Sequence, residues 1–515
     1  MDNMNIGLAV HRNAVRNPDS EALFGADPLT YEELDRKSNR IAHYLLSFGF
    51  EKGDRVAVLL PNRSEVIELI TGISKAALVY VGLNFRLGVS ELEQIFDNCD
   101  PVLVITDSEH LKQISELPNI GNTPVHNVET EEWNSTLGLS SDELPVVLDT
   151  ITPDDDFCIV YTSGTTGRPK GVLFDHKRVL QHATVACIEY ELERKSRYLI
   201  QIPHNSSVNI TIIPCLTVGA AISFRDSRNF NPLEFANQVE RDNVTHSFLV
   251  PTQLMRLLEK LPDSSNGKLK SLTTLGYGSS PISPQRLKEL VSRFGSIFNQ
   301  LYGMAEIASI GTILRKEDHV LGLTSNPKLL ASCGQPSLAV NVRVVDEDGK
   351  PVEDGERGEV IFSGPHVMKG YFRDIERTEE VLINGWMHSG DIAEVDPKGF
   401  IYIVDRKKNL IIRGGLNIAP TEIENVIYRH EAVLEVSVVG VPDPEWGEGI
   451  VAVLALKEGF DVGVEEIKEF CADSELTSIK VPERIEIWED LPKNAVGKIA
   501  KNEIRSVFWG SGRQI

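Results

Sequence analysis

Tyr161-Thr162-Ser163-Gly164-Thr165-Thr166-Gly167-Arg168-Pro169-Lys170-Gly171 is the stretch on which the reading of this chain turns. It places four aliphatic hydroxyls, three glycines and a lysine within a few residues. Hydroxyls and glycine N–H groups are ligands for phosphate oxygens, and a lysine supplies a mobile positive charge. Just upstream, Phe157-Cys158-Ile159-Val160-Tyr161 reads as a buried strand. The polar run is therefore a loop leaving a strand end, where a sheet protein holds a polyphosphate. It is not a Walker A loop, which needs four residues between its first glycine and a Gly-Lys-[Ser/Thr] that opens a helix. Here Lys170 is followed by Gly171 and Val172. Taken alone, a Ser/Thr/Gly run of this kind also reads as a flexible loop with no ligand.

Outward from this loop, the first 150 residues alternate helix-like and strand-like runs. Tyr31 to Phe48 has Leu34, Ile41, Leu45 and Leu46 on one face behind a Glu32-Glu33 start, an amphipathic helix. Arg55 to Leu60 and Pro101 to Thr106 read as buried strands, and Val66 to Leu78 as a helix. A second set of such units is expected from Phe157 to Leu301. Repeated βα units predict an α/β fold, with largely parallel sheets in two subdomains. From Val340 the rhythm changes to alternating strands around Asp348-Gly349, a hairpin signature, which predicts an antiparallel, barrel-like third subdomain. The charged run Asp405-Arg406-Lys407-Lys408-Asn409 ends that pattern, and a small α+β domain of about 100 residues follows. The predicted domains are 1–407 and 408–515.

At 515 residues the chain is long enough for two or three domains. Its net charge of −23 opposes nonspecific binding to nucleic acid and to anionic membranes, without excluding small anions at a locally positive site. Six scattered cysteines without CxxC spacing read as buried free thiols of a reducing compartment, and no HExxH pattern points to zinc. The N-terminus lacks the apolar core of a signal peptide. The longest apolar patch, Ile210 to Phe224, contains Pro214 and Gly219 and is short for a bilayer span, so a buried core segment is expected. These features predict a cytoplasmic protein with no integral membrane segment. A homodimer is neither required nor opposed by anything in the sequence.

Five further strings complete the reading. They are Thr274-Leu275-Gly276-Tyr277-Gly278-Ser279-Ser280-Pro281, Asn299-Gln300-Leu301-Tyr302-Gly303-Met304-Ala305-Glu306, Gly385-Trp386-Met387-His388-Ser389-Gly390-Asp391, Asp405 through Asn417, and Leu491-Pro492-Lys493-Asn494-Ala495-Val496-Gly497-Lys498. Together with the phosphate loop, in this order, they resemble the motifs of the adenylate-forming (ANL) superfamily: acyl-CoA synthetases, nonribosomal-peptide adenylation domains and beetle luciferases. Such enzymes activate a carboxylic acid with ATP to an acyl-adenylate and pyrophosphate, and most pass the acyl group to a thiol.

The resemblance implies a role for each position. Thr162, Ser163, Gly164, Thr165, Thr166, Gly167 and Lys170 would hold the β- and γ-phosphates, with Thr166 among the catalytic groups. Gly278, Ser279, Ser280, Asn299, Gln300, Tyr302, Gly303, Met304 and Ala305 would line the nucleotide, Tyr302 by stacking on adenine. Ala305 departs from the usual threonine, which weakens one α-phosphate contact. Glu306, with Thr162, would hold Mg²⁺. Asp391 and Arg406 would clasp the ribose. His204 would gate the acyl pocket, lined also by Asn205, Tyr277, Gly278 and Gly303, with Tyr277 narrowing it. Lys408 would be the hinge about which the small domain rotates between half-reactions. Arg413, Gly414 and Gly415 would border the pantetheine tunnel, and Lys498 would bridge the substrate carboxylate and the α-phosphate.

The resemblance therefore implies a carboxylate–CoA ligase with ATP and CoA as co-substrates and Mg²⁺ as cofactor. Two alternatives stay open at this stage: an aryl-acid–AMP ligase loading a separate carrier protein, and a non-catalytic ATP-binding scaffold.

Overall fold

The computed structural model describes residues 5–162, 168–226, 228–493 and 499–509. Two sheets organise the N-terminal part. In the first, five parallel strands run in the order Asp156–Thr162, Val79–Gly82, Arg55–Leu59, Leu103–Thr106, Val125–Asn127. Lys170–Asp175 and then Gly370–Tyr371 extend it antiparallel. In the second, Phe298–Tyr302, Thr274–Gly278, His246–Leu249, Arg197–Ile200, Ala221–Phe224 and Glu21–Leu23 are parallel.

The predicted division of these units needs one correction. The strand Phe157–Tyr161 was expected to open the second subdomain, yet it pairs in the first sheet through Tyr80↔Cys158. Periodicity locates a strand but not its partners, which are fixed by long-range packing. The consequence is functional. Thr162 and Lys170 stand at strand ends of one sheet and Gly278 and Tyr302 at strand ends of the other, so any ligand held by both sets lies between the two sheets.

Local sequence explains the elements well. Helix Tyr31–Leu46 starts at a reciprocal capping box in which Thr30 accepts from the Glu33 N–H and Glu33 accepts from the Thr30 N–H. Such a cap contributes about 1 kcal/mol. Helix Glu65–Lys75 is buried from Val66 onward because it lies under helix Tyr31–Leu46 and a sheet face. At its end, the fully buried Lys75 ammonium donates to the Asp35 carboxylate (2.5 Å), Ser38 Oγ (2.8 Å) and Asn39 Oδ1 (2.7 Å). The Ile210–Phe224 patch is core, folded into the end of a π-helical turn, helix Ile213–Val218 and strand Ala221–Phe224. No helix among the described residues is long and apolar enough to cross a membrane.

The main core joins the two sheets and reaches the third, through residues such as Val58, Phe157, Phe174, Tyr198, Ile222, Leu301 and Phe362. A second core covers the opposite face of the second sheet and includes Phe235, Leu254, Leu275, Tyr277, Leu290 and Phe298. The third subdomain is an antiparallel sheet built on Arg357–Ser363 and Trp386–Val395, whose strands pair in an open series rather than a closed ring. The C-terminal part has its own core around Ile411, Ile423, Val438, Ile450, Leu454 and Ile467. It packs on a mixed sheet in which Val433–Asp443 and Gly447–Leu456 form a long hairpin.

Candidate functional site

The strand Asp156–Thr162 ends where Thr162 pairs with Lys170, the first residue of the antiparallel strand Lys170–Asp175. Ser163, Gly164, Thr165, Thr166 and Gly167 lie outside the described residues, as does Lys498. The rim that carries this loop is described. Lys170 Nζ lies over the Tyr371 ring, 5.1 Å from its centroid. The Tyr371 hydroxyl donates to Glu306 Oε1 at 2.7 Å. Burial first, and the Glu306 charge second, push the Tyr371 phenol well above its ordinary pKa, so it remains a protonated donor.

Glu306 follows the strand Phe298–Tyr302 in a short 3₁₀ turn, Ala305–Ile307. It is buried, and no ion pair to a lysine, arginine or histidine is formed by it among the described residues. A buried carboxylate with a phenol donor and no paired cation is costly unless a cation joins it. No cluster of three or more metal-ligating side chains exists among the described residues. A single carboxylate is nonetheless a donor set that suits Mg²⁺, which keeps waters and takes its other ligands from phosphates.

A second constellation closes over the same strand end. The Tyr302 hydroxyl donates to Asp391 Oδ2 at 2.8 Å, and Arg406 Nε lies 3.1 Å from Asp391 Oδ1. Asp391 and Arg406 face one another across the antiparallel strands Trp386–Val395 and Ile401–Arg406. Burial raises the Asp391 carboxyl above the usual range, while Arg406 and the Tyr302 hydroxyl pull it back down. Two glycines let the backbones close up here. A Cβ on Gly278 would stand 2.3 Å from the Leu301 carbonyl oxygen, and one on Gly303 would stand 2.7 Å from that of Ser309. Between them Ser279 holds a left-handed φ of 69°, a strained conformation for a residue with a side chain.

His204, read as the acyl-pocket gate, is fully buried and neutral. Its Nε2–H donates to the Leu60 carbonyl (2.9 Å), and its Nδ1 accepts from the Tyr80 hydroxyl (2.8 Å). Burial pushes it down to about 4. With both nitrogens occupied, His204 offers a wall rather than a proton carrier. Asn205 is buried beside it with an unpartnered Oδ1. Ser280, Met304 and Ala305 are partly exposed around the same strand ends.

One expectation is corrected. Tyr277 does not narrow an acyl pocket. Strand alternation turns it to the opposite face from Gly276 and Gly278, into the second core, where its hydroxyl meets Gln300 Oε1 and His319 Nε2, both at 2.9 Å. Gln300 shares that face through its register with Tyr277 and accepts from the Tyr277 hydroxyl. Asn299 is buried with its amide donating to the Glu189 carbonyl at 3.0 Å.

At the charged junction Lys408 reaches the surface, yet partial desolvation, followed by the neighbouring Arg406 and Lys170 charges, pushes its ammonium down to about 8. The hinge candidate thus lies close to the phosphate-loop rim. Asp405 bridges to the small domain, accepting from the Thr421 N–H (3.1 Å) and hydroxyl (2.9 Å). Gly414 and Gly415 both take left-handed φ, 54° and 81°. Arg413 is buried beneath the Trp446 ring and paired with Glu483, so that side chain belongs to the small domain's own packing. Sequence reasoning missed Tyr371 and Tyr80. Neither sits in a string that suggests chemistry, and each acts on a partner more than 60 residues away.

Comparison with known proteins gives the same picture. A family model described as "AMP-binding enzyme" matches residues 10–372, and one described as "AMP-binding enzyme C-terminal domain" matches residues 422–498. A feruloyl-CoA synthase from an Amycolatopsis species is 35% identical over 514 residues, covering 99% of this chain and 100% of that one. The medium/long-chain-fatty-acid–CoA ligase FadD8 of Mycobacterium tuberculosis is 33% identical over 500 residues, covering 93% and 86%. Among solved structures, ATP-bound MatB from Rhodopseudomonas palustris superposes with a TM-score of 0.88 at 25% identity, covering 98% of each chain.

Proposed function

We propose, from the premise that this chain belongs to the AMP-binding enzyme family, that it is an AMP-forming acid–thiol ligase. The reaction is carboxylic acid + ATP + CoA → acyl-CoA + AMP + pyrophosphate, by way of an acyl-adenylate. The observation that carries the reading is the meeting of two constellations at one strand end: Asp391 with Tyr302 and Arg406, and Glu306 with Tyr371 and Lys170.

In the first half-reaction a carboxylate oxygen attacks the α-phosphorus and pyrophosphate leaves. Both reactants are anions, so the site must supply positive charge and fixed positions. Lys170 would supply charge at the β- and γ-phosphates, which the hydroxyls of Thr162, Ser163, Thr165 and Thr166 would also bind. Asp391 accepts from the ribose hydroxyls, and Arg406 and Tyr302 keep its carboxylate in place. Glu306, together with Thr162, would hold Mg²⁺, which when bound would neutralise phosphate charge. Lys498 would bridge the acid and the α-phosphate in this step. His204, neutral and tied at both nitrogens, forms part of the acyl wall with Asn205, Gly278 and Gly303.

In the second half-reaction the thiol sulfur of CoA, after losing its proton, attacks the adenylate carbonyl carbon. AMP leaves with the bridging oxygen. The domain boundary falls at Lys408, and rotation there brings the Arg413-Gly414-Gly415 turn to the site in place of Lys498. Six unpaired cysteines fit a reducing, cytoplasmic setting.

ATP–pyrophosphate exchange, run with a panel of aryl and fatty acids and followed by a CoA-dependent assay of the best acid, tests the reading. Acid-dependent exchange with acyl-CoA formation is expected. Exchange followed by transfer only to a carrier-protein thiol would displace CoA as the acceptor, and no exchange with any acid would overturn the ligase reading.

A further inference from the structure

Tyr371 was singled out by no motif, yet its side chain touches both Glu306 and Lys170. It belongs to the two-residue strand Gly370–Tyr371, which pairs with Val172–Leu173, two and three residues past Lys170. Its hydroxyl reaches Glu306, 65 residues earlier, and its ring lies under Lys170, on the other strand of that pairing.

The backbone already fastens this segment without the side chain. The Met368 N–H donates to the Glu306 carbonyl (2.7 Å), Lys369 to Leu173 (2.9 Å), and Phe372 to Gly171 (2.7 Å). The Tyr371 N–H donates to Thr378 Oγ1 at 2.9 Å. The phenol is therefore not needed to dock the strand. What it adds is a directed donor to one oxygen of a buried carboxylate that has no ion-pair partner among the described residues.

We infer that Tyr371 is a positioning residue for the phosphate-bearing half of the site. Its hydroxyl binds Glu306 Oε1 and leaves the other carboxylate oxygen for a divalent cation on the bound polyphosphate, while its ring seats Lys170 beside the same phosphates. A glutamate has three side-chain torsions, and a hydrogen bond to an ionised acceptor is among the stronger restraints on them. The cation–π contact holds the ammonium without neutralising it, so its charge remains available to the ligand. This inference rests on the assignment of Glu306 as the cation-holding carboxylate in the preceding subsection.

The test is a titration of Mn²⁺, read by electron paramagnetic resonance, into enzyme with ATP and no acid, so that nothing turns over. Wild type, Tyr371→Phe, Glu306→Gln and the double variant are compared, with thermal midpoints as a check on folding. Phenylalanine keeps the ring and the strand and deletes only the hydroxyl. Tyr371→Phe is expected to weaken Mn²⁺ binding about tenfold, the effect of losing one charge-assisted hydrogen bond. In the Glu306→Gln background the same change should add less than about twofold, because the two groups act as a unit. A shift for Glu306→Gln with none for Tyr371→Phe, or full additivity in the double variant, would overturn the positioning role and leave the assignment of Glu306 standing. No shift for Glu306→Gln would overturn that assignment and the inference together.

Discussion

Replacing Asp391 by asparagine probes the ribose clasp with the least disturbance of shape. The buried carboxylate accepts from Tyr302 at 2.8 Å and faces Arg406 at 3.1 Å. Its ion pair with Arg406 counts for little by itself, because the arginine side chain is 49% exposed and screened by solvent. Asparagine keeps one acceptor oxygen, which Tyr302 can still use, so the fold should lose only about 1 kcal/mol. Toward ATP the loss is larger. A carboxylate receives both ribose hydroxyls, whereas the amide offers one neutral acceptor already engaged by Tyr302. Losing one or two charge-assisted hydrogen bonds, each about 1.5–3 kcal/mol, predicts a rise in the ATP KM of about tenfold to a hundredfold. The assay is pyrophosphate exchange against ATP concentration at saturating acid and Mg²⁺, beside a thermal melt. An unchanged ATP KM together with a large drop in melting temperature would refute the reasoning, since it would make Asp391 a structural residue only.

Three other expectations follow from the same structure. Lys498→Ala should slow adenylate formation by about a hundredfold or more, the scale for one lost preorganised group, and spare thioester formation from a supplied adenylate; equal loss in both half-reactions contradicts its place in one of them. Tyr277→Phe should leave the range of accepted acids unchanged and cost about 1 kcal/mol of stability, measured by denaturant melts, because its hydroxyl serves Gln300 and His319 in the second core. Burial holds the Lys75 ammonium down to about 8 against 10.5 for the free side chain, despite the opposing pull of Asp35. The unfolded chain then binds the extra proton between those values, so this group's contribution to stability is least favourable below pH 8 and improves as pH rises toward 10.5. The stability difference between wild type and Lys75→Met should move in favour of wild type over that window, by at most about 1.4 kcal/mol per pH unit; a difference that is flat with pH contradicts the assigned shift.

Much of this architecture was legible because local rules decide it. The helix expected from Tyr31 follows apolar periodicity behind its Glu32-Glu33 start, and it appears where that pattern puts it, as Tyr31–Leu46. Asp391 and Arg406 were paired by motif alone and prove to be cross-strand neighbours. What the sequence hid was partner choice. Nothing local says that Phe157–Tyr161 joins the first sheet, or that Gly370–Tyr371 returns across 195 residues to extend it beyond Lys170–Asp175. The Tyr277 error has the same origin. Its place beside Gly276 and Gly278 suggested a pocket, but alternation sends neighbours to opposite faces, and which face meets the ligand is set by the sheets stacked on either side. Tyr80 and Tyr371 escaped notice because a single tyrosine carries no chemical signal until the fold gives it His204 or Glu306.

The central claim is that the acid is activated as an adenylate before any thiol attacks it. Acid labelled with ¹⁸O in its carboxylate, chosen as the best substrate of the exchange panel, tests this directly when AMP is analysed by mass spectrometry after complete conversion to acyl-CoA. Attack on the α-phosphorus predicts AMP carrying one heavy oxygen. Unlabelled AMP, or ADP accompanied by labelled inorganic phosphate, would contradict it.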